Sequence, residues 1–462
     1  MKRRIQRIHF VGIGGIGMCG IAELLLNQGY AITGSDLREG PNVKRLRNLG
    51  TTVHIGHAAD HLGAADVIVY SSAIRPDNPE LEEAEKRKIP VIRRAEMLAE
   101  IMRMKDGIAV AGSHGKTTTT SLIAHVLDAA GLDPTAIIGG RVLGGTGDPT
   151  GARLGRSEIL VAEADESDGS FLRLAPVLAV ITNIDPEHLD HYGSIEAIED
   201  AFVEFANGLP FWGQAAVFVD HPGIQSILPR ITRRVTTYGF SKEADLMAFD
   251  LETDGFGMRF RVRDGDRERG PLRIRLPGQH NVANALATLV IAKELGIEFD
   301  TAATALADFV GIERRFHLRG EMAGIRVVDD YAHHPSELQA TITAARAAHS
   351  GRVIAVFQPH RYTRTRDCFD AFTKCFDSAD ELLLTPIYPA GENAIAGIGA
   401  PELAAAIQAS GHPSARAFDD FDAVLDALVP ILREDDLVLT LGAGTISSLG
   451  PQILERLGNR NS

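Results

Sequence analysis

The sequence predicts an α/β fold in three domains, and three observations carry that prediction. Apolar runs of strand length alternate with helical stretches along nearly all of the chain. Two of those runs lead directly into glycine turns followed by helices, at residues 12–17 and 112–117. A third set of strand and helix signals begins near residue 313. The predicted architecture is an N-terminal Rossmann-like domain (1–105), a central P-loop ATPase-like α/β domain with an antiparallel β excursion (106–312), and a C-terminal Rossmann-like domain (313–462).

The first domain opens with the strand Ile8-His9-Phe10-Val11, then Gly12-Ile13-Gly14-Gly15-Ile16-Gly17 and a helix through Ile21, Leu24 and Leu25. A strand at Ala31–Thr33, the acidic Asp36, and apolar runs at Val67–Tyr70 and Val91-Ile92 continue the pattern. Gly12, Gly14 and Gly17 fit a dinucleotide fingerprint, with Asp36 where a ribose-binding acid would sit. A glycine loop at a helix start holds any diphosphate, and it also occurs as a plain tight turn.

The central domain carries the most informative stretch. The strand Gly107–Ala111 runs into Gly112-Ser113-His114-Gly115-Lys116-Thr117-Thr118, and a helix follows through Leu127. Converging backbone N–H groups, the helix dipole and the Lys116 ammonium make a phosphate cradle, with Thr117 placed to offer its hydroxyl to Mg²⁺. The usual pattern has a glycine where this chain has Val110, so the loop is a shortened form. Further strands are expected at Ile159–Ala162, Val177–Ile181 and Ala215–Val219. Residues 234–276 alternate apolar and polar side chains around Asp-Gly pairs at 254–255 and 264–265, and read as the antiparallel excursion.

Glu163-Ala164-Asp165-Glu166-Ser167-Asp168 follows a predicted strand, where carboxylates beside a P-loop hold Mg²⁺. Glu163 is the first choice of ligand and Glu166 the reserve. His188, in the loop after the next strand, is a second metal ligand, a phosphate-orienting group or a structural histidine. Asn281 and Asn284 stand at a helix start, where they cap it or read an adenine edge. In the third domain, strands are expected at Ile325–Val328, Val353–Phe357, Leu382–Thr385 and Leu437–Leu441. Asp330 and His333 follow the first, and Arg361 and Arg364 follow the second. Such groups at strand carboxyl ends suit an anion such as an amino-acid carboxylate, or form a rim of salt bridges.

Composition bounds the function. A chain of 462 residues with 45% hydrophobic and 23% charged residues is that of an ordinary globular protein. A net charge of −14 without basic runs argues against nucleic-acid binding. The three cysteines have no metal-ligand spacing and point to a reducing compartment. No signal peptide or membrane-spanning run is visible, so a cytoplasmic location without membrane insertion is expected. Oligomeric state is not readable.

Assembled in order, these blocks resemble the Mur ligase family from end to end. The carriers are the glycine loop with Met18 and Gly20–Glu23, residues 112–120, Glu163–Phe171, Asn183–Asp190, Gln279–Ala287, Arg314-Arg315-Phe316, Asp329–Glu337 and Phe357–Arg366. Cys19 stands where serine is common in the family.

The resemblance implies an ATP-dependent, amide-forming ligase of peptidoglycan precursor synthesis, using ATP and Mg²⁺. It implies UDP-N-acetylmuramate as acyl donor and L-alanine as amine. The donor's carboxylate takes the γ-phosphate, and the amine then displaces phosphate from the acyl phosphate. It further implies that Gly14, Gly15, Gly17 and Asp36 bind the UDP-sugar. Gly112, Ser113, His114, Gly115, Lys116, Thr117, Thr118, Asn281 and Asp330 are implied for ATP, with Asp330 alternatively in the amino-acid pocket. Thr117, Glu163 and His188 are implied for metal, and His333, Arg361 and Arg364 for the amino acid. Lys116, His188, Arg315 and His333 are the implied catalytic set, with Arg315 facing the γ-phosphate or acyl phosphate. The alternatives are a recycling ligase that joins a tripeptide to the same sugar nucleotide, an NAD-dependent oxidoreductase, and a nucleotide-regulated binding protein.

Overall fold

The computed structural model describes residues 5–71, 73–140, 142–143 and 152–460. The chain divides into two compact units. One comprises residues 1–248, 262–269 and 283–306; the other comprises 249–261, 270–282 and 307–462.

The first unit contains a five-stranded parallel sheet in the order Thr52–Ile55, Ala31–Asp36, Arg7–Val11, Val67–Tyr70, Val91–Arg93. The chain starts in the middle strand, works outward to one edge, then returns to the other side. That reversal places a switch point beside the carboxyl end of Arg7–Val11, where the glycine loop lies. Helix Ile16–Asn27 follows the loop and buries Met18, Ile21, Leu24 and Leu25.

Its second sheet has at its centre the adjacent strands Gln214–Phe218, Leu178–Ile181, Asp106–Ala111, Ile159–Glu163 and Thr135–Ile137, all parallel. Buried on both faces, these strands read as apolar runs rather than alternations. Arg234–Gly239 also pairs in parallel with Gln214–Phe218, through the short crossover helix Pro222–Ile227. The excursion expected from residue 234 therefore begins later, because Arg234–Gly239 pairs in parallel both with Gln214–Phe218 and with the first residues of Leu246–Thr253. Strands Leu246–Thr253, Met258–Asp264 and Arg267–Ile274 follow, joined at the Asp-Gly turns. Asp254 and Gly257 exchange both backbone hydrogen bonds at 3.0 Å, as a tight hairpin requires.

The second unit holds a six-stranded sheet in the order His317–Met322, Ile325–Asp330, Leu437–Leu441, Val353–Phe357, Glu381–Leu384, Ala415–Ala417. All neighbours are parallel except the first pair, an antiparallel edge that the sequence reading did not anticipate. His317–Met322 is polar and mostly exposed, so it carries little apolar signal. Successive residues of Val353–Phe357 serve opposite faces: Val353, Ala355 and Phe357 enter one core, Ile354 and Val356 the other. Phe357 is fully buried, with Phe372 and Phe376 at centroid distances of 5.6 and 5.4 Å. Phe357→Ala is expected to destabilise this unit by about 3–5 kcal/mol, read as a lowered urea midpoint of its unfolding transition.

Candidate functional site

Three strand ends meet in the central sheet of the first unit. Asp106–Ala111 lies between Ile159–Glu163 and Leu178–Ile181, with Val110 opposite Glu163 and Ala111 opposite Ile181. Their carboxyl ends are therefore level, and the loops 112–115, 164–168 and 182–188 share one rim.

The 112–115 loop is fastened to its neighbour. Ser113 N–H donates to Asn183 O at 3.2 Å and His114 N–H to Asn183 Oδ1 at 2.7 Å. Thr182 Oγ1 donates to His114 O at 2.6 Å, and Asp185 N–H donates to Ser113 Oγ at 2.8 Å. Two glycines are dictated by contact and backbone conformation. A Cβ on Gly112 (φ 129°) would lie 2.1 Å from Thr182 Oγ1, and one on Gly115 (φ 82°) 2.8 Å from Asn284 Oδ1. Asn284 also accepts from Thr119 Oγ1 at 3.1 Å, so it braces the start of helix Lys116–Ala129.

Lys116 Nζ donates to Gly112 O at 2.6 Å, Ser113 O at 3.1 Å and Glu166 Oε1 at 2.9 Å. Burial opposes the Lys116 charge, but the Glu166 carboxylate outweighs it and raises the ammonium above its ordinary value. Burial pushes the Glu166 carboxyl upward against the pull of Lys116. Thr117 and Thr118 are buried in the first turn of the helix.

His188 caps helix Leu189–Tyr192 in a left-handed conformation (φ 55°). Its Nε2 lies 3.8 Å from Glu166 Oε1 and 3.7 Å from Glu187 Oε2. Glu166, Glu187 and His188 each offer one ligand atom within 4.8 Å of the others, a spacing that a metal ion can bridge. Glu163 faces elsewhere: its Oε1 accepts from Gly139 N–H at 2.7 Å. His114 Nε2 stands 3.2 Å from both Asp185 Oδ2 and Glu187 Oε1, and His221 Nε2 is 3.4 Å from Asp185 Oδ1. Burial works against the Asp185 charge, but the two imidazoles hold its carboxyl well below the ordinary range.

At the N-terminal glycine loop, Gly14 N–H donates to Asp36 Oδ2 at 2.8 Å, so Asp36 is engaged with the loop backbone. Arg94 is a residue that sequence reasoning missed. A Cβ on Gly17 would lie 2.8 Å from Arg94 Nη1, and Arg94 Nη2 is 3.5 Å from Asp165 Oδ2. One guanidinium thus reaches from the first glycine loop to the acidic run. Its sequence context, an Arg-Arg pair at a helix start, has no distinguishing signal.

In the second unit, the loops after Ile325–Asp330 and Val353–Phe357 flank the end of Leu437–Leu441, which separates the two strands. Arg314 Nη2 donates to Gly442 O at 2.5 Å and Gly444 O at 3.3 Å; its guanidinium carbon lies 4.8 Å from the Tyr331 ring centroid. The Arg315 guanidinium lies 5.2 Å from the same ring. Asp330 accepts from the N–H groups of Phe316 and Ala332, both at 2.7 Å, and burial raises its carboxyl to about 6. The Asn281 amide donates to Pro277 O at 2.7 Å.

His360 connects the predicted amino-acid residues. Its ring lies 5.7 Å from that of His333 and stacks at 5.5 Å on Tyr388. Its Nδ1 is 3.2 Å from Arg364 Nη1. A guanidinium has no acceptor, so Nδ1 accepts and the ring proton resides on Nε2. Burial, then His333 and the nearby arginines, lowers His360 to about 4, which keeps the ring neutral at pH 7. Arg361, with φ 70°, precedes helix Tyr362–Asp367 and lies 3.9 Å from Glu392. Tyr388, Glu392 and the Gly442–Gly444 turn were not singled out in the sequence. A Gly-x-Gly directly after an apolar strand was the available signal for the turn.

The chain matches the Mur ligase family catalytic domain over residues 7–106 and the Mur ligase middle domain over 110–292. Residues 314–444 match the Mur ligase glutamate ligase domain. It is 52% identical over 455 residues to a UDP-N-acetylmuramate–L-alanine ligase of Myxococcus xanthus, covering 98% of this chain and 96% of the relative. Identity to the corresponding ligase of Geotalea daltonii is 51% over 457 residues, covering 99% of each. Among solved structures, the UDP-N-acetylmuramate–alanine ligase MurC of Thermotoga maritima superposes with a TM-score of 0.82 at 27% identity, covering 98% of this chain and 99% of that one. A murein peptide ligase of Psychrobacter arcticus gives 0.71 at 25% identity, with the same coverages. The chain belongs to the Mur ligase family.

Proposed function

We propose that this protein is an ATP-dependent ligase that joins L-alanine to the carboxylate of UDP-N-acetylmuramate in peptidoglycan precursor synthesis. The observation that carries the reading is the shared rim of the central sheet, where Lys116 bridges the 112–115 loop and Glu166, with His188 3.8 Å from the same carboxylate. The near-complete coverage of L-alanine ligases at about half identity supports the choice of substrates. The proposed domains are 1–105 for the UDP-sugar, 106–312 for ATP and 313–462 for the amino acid. Among the described residues no helix is long and apolar enough to cross a membrane.

A carboxylate is a poor acylating agent because its leaving group would be oxide or hydroxide. Attack of the muramate carboxylate on the γ-phosphorus of ATP forms a P–O bond, breaks the β–γ bond with release of ADP, and converts that oxygen into a phosphate leaving group. The alanine amine then attacks the acyl carbon, forms the C–N bond, loses a proton and expels phosphate. In this reading the 112–115 amides and Lys116 hold the transferring phosphate, and Lys116 exchanges its Glu166 contact for phosphate oxygen. Arg315 faces the γ-phosphate or acyl phosphate, and Asn281 and Asp330 are assigned to the nucleoside. His333, Arg361 and Arg364 take the alanine, with the arginines meeting its carboxylate. Gly14, Gly15, Gly17 and Asp36 take the UDP-sugar.

Thr117 and His188 are assigned to Mg²⁺, together with one acid of the 163–166 run. The spacing of Glu166, Glu187 and His188 fits a cation and favours Glu166 over Glu163, whose carboxylate engages Gly139. Mg²⁺ there supplies charge neutralisation between phosphate and carboxylate.

The test supplies purified protein with ATP, Mg²⁺, UDP-N-acetylmuramate and one amine at a time, and follows phosphate release. Release with L-alanine and not with tripeptide is expected. Preference for tripeptide identifies the recycling ligase, and a nicotinamide absorbance change without ATP consumption refutes the ligase reading. Lys116→Ala is expected to lower turnover at least about 10²-fold, with circular dichroism at the assay temperature unchanged although the melting temperature falls, because Glu166 loses its buried cation. Gly15 has a non-glycine-like φ of −61°, and a Cβ there would lie 3.6 Å from Gly12 O. Gly15→Val is therefore expected to keep the fold but crowd the loop, raising KM for the sugar nucleotide far more than KM for ATP. Steady-state kinetics with each substrate varied in turn read that difference.

A further inference from the structure

Beneath the N-terminal glycine loop lies a buried charged cluster with no role in the scheme above. Glu80, at the start of helix Pro79–Lys86, is fully buried. Its Oε2 accepts from Ser35 Oγ at 2.6 Å and lies 3.3 Å from His57 Nδ1 and 3.8 Å from His9 Nε2. Its Oε1 is 3.1 Å from His61 Nδ1. His61 stacks on His54 with centroids 4.1 Å apart, and His9 Nδ1 is 2.8 Å from Thr33 Oγ1. The Glu80 N–H donates to Asn78 Oδ1 at 2.9 Å, which fixes the helix start and the carboxylate with it.

A buried carboxylate costs several kcal/mol unless its partners compensate, and an apolar side chain would fill the same space without that cost. Here the compensation is extensive. Burial pushes the Glu80 carboxyl up, but the proximity of His9, the hydrogen bond from Ser35 and the proximity of His57 bring it down to about 2. Glu80 thus stays an anion that ties strand Ala31–Asp36, through Ser35, to the 56–61 connection, through His57 and His61, with His9 of strand Arg7–Val11 lying 3.8 Å away.

Ser35 leads directly to the loop. Its carbonyl accepts from Gly12 N–H at 2.9 Å and Ile13 N–H at 3.0 Å. The next residue, Asp36, accepts from Gly14 N–H, and Asn42 Nδ2 donates to Gly14 O at 2.8 Å. The course of the loop backbone from Gly12 to Gly14 is therefore set by Ser35 and Asp36, and the Ser35 side chain is held by Glu80 together with His57, whose Nδ1 lies 2.9 Å from Ser35 Oγ. We infer that Glu80 is a positioning residue for the sugar-nucleotide diphosphate, acting through Ser35 on the amides of the glycine loop. The inference rests on the reading of residues 12–17 as the UDP-sugar loop.

The experiment compares wild type with Glu80→Ala, Glu80→Gln and Ser35→Ala. Phosphate release gives KM for UDP-N-acetylmuramate, KM for ATP and kcat, and thermal melting reports the fold. Glu80→Ala is expected to raise KM for the sugar nucleotide about tenfold or more, the scale of one charge-assisted hydrogen bond, while KM for ATP and kcat stay within about twofold. Ser35→Ala shifts the same constant in the same direction by less. Glu80→Gln keeps an acceptor for Ser35 Oγ and recovers most of the loss. A lowered melting temperature with an unchanged sugar-nucleotide KM makes the cluster purely structural and overturns the inference, as does an equal rise in both KM values. If Glu80→Ala does not fold, Ser35→Ala decides, since it removes one hydroxyl alone. A wild-type protein that releases no phosphate refutes the ligase reading and the inference with it; an active wild type with unaltered variants refutes only the inference.

Discussion

The hydrogen bonds between the 112–115 loop and residues 182–185 are the interaction on which the rest of the first unit's chemistry depends. They cross between two neighbouring parallel strands, and parallel pairing makes it possible for both chains to turn at the same height. With Ser113 and His114 held by Asn183, Thr182 and Asp185, the loop cannot shift without moving the 182–188 segment. Lys116 and His188 are thereby placed against Glu166 by backbone geometry rather than by long side chains searching for partners. That is the preorganisation a phosphoryl-transfer site requires, because charge must be met where it develops.

In the second unit the side chains at the strand ends hold one another in fixed directions. The neutral ring of His360 accepts from Arg364 and packs against His333 and Tyr388. The left-handed backbone at Arg361 turns one side chain toward Glu392 as the following helix begins. Arg314 fastens the adjoining segment to Gly442 and Gly444, and its neighbour Arg315 lies against the Tyr331 ring.

Much of the fold was legible because buried parallel strands announce themselves as apolar runs. Val67–Tyr70, Val353–Phe357 and Leu437–Leu441 are bounded in the structure as the sequence suggested. What escaped was structure held by polar pairing. The edge strand His317–Met322 leaves its apolar residues Leu318 and Met322 exposed, and Arg234–Gly239 carries too few apolar residues to show that its neighbour Gln214–Phe218 runs parallel to it. The glycine loops and the strand-end acids were legible by motif. Which acid stands nearest His188 was not, since Glu163 and Glu166 differ only in how a short loop turns after its strand. Glu80 was invisible for a related reason: Asn-Pro-Glu reads as an ordinary helix start, and four histidines spread along the chain show nothing of their convergence.

The position of Leu437–Leu441 has a consequence for how the protein is made. This strand occupies the middle of its sheet, between Ile325–Asp330 and Val353–Phe357, yet it is the last of the six along the chain. Until the ribosome has delivered it, those two strands have no common neighbour, and each presents an unpaired edge. The rim formed by their carboxyl ends is therefore among the last features of the unit to form, and the nascent chain must keep two apolar edges apart throughout the synthesis of everything between them.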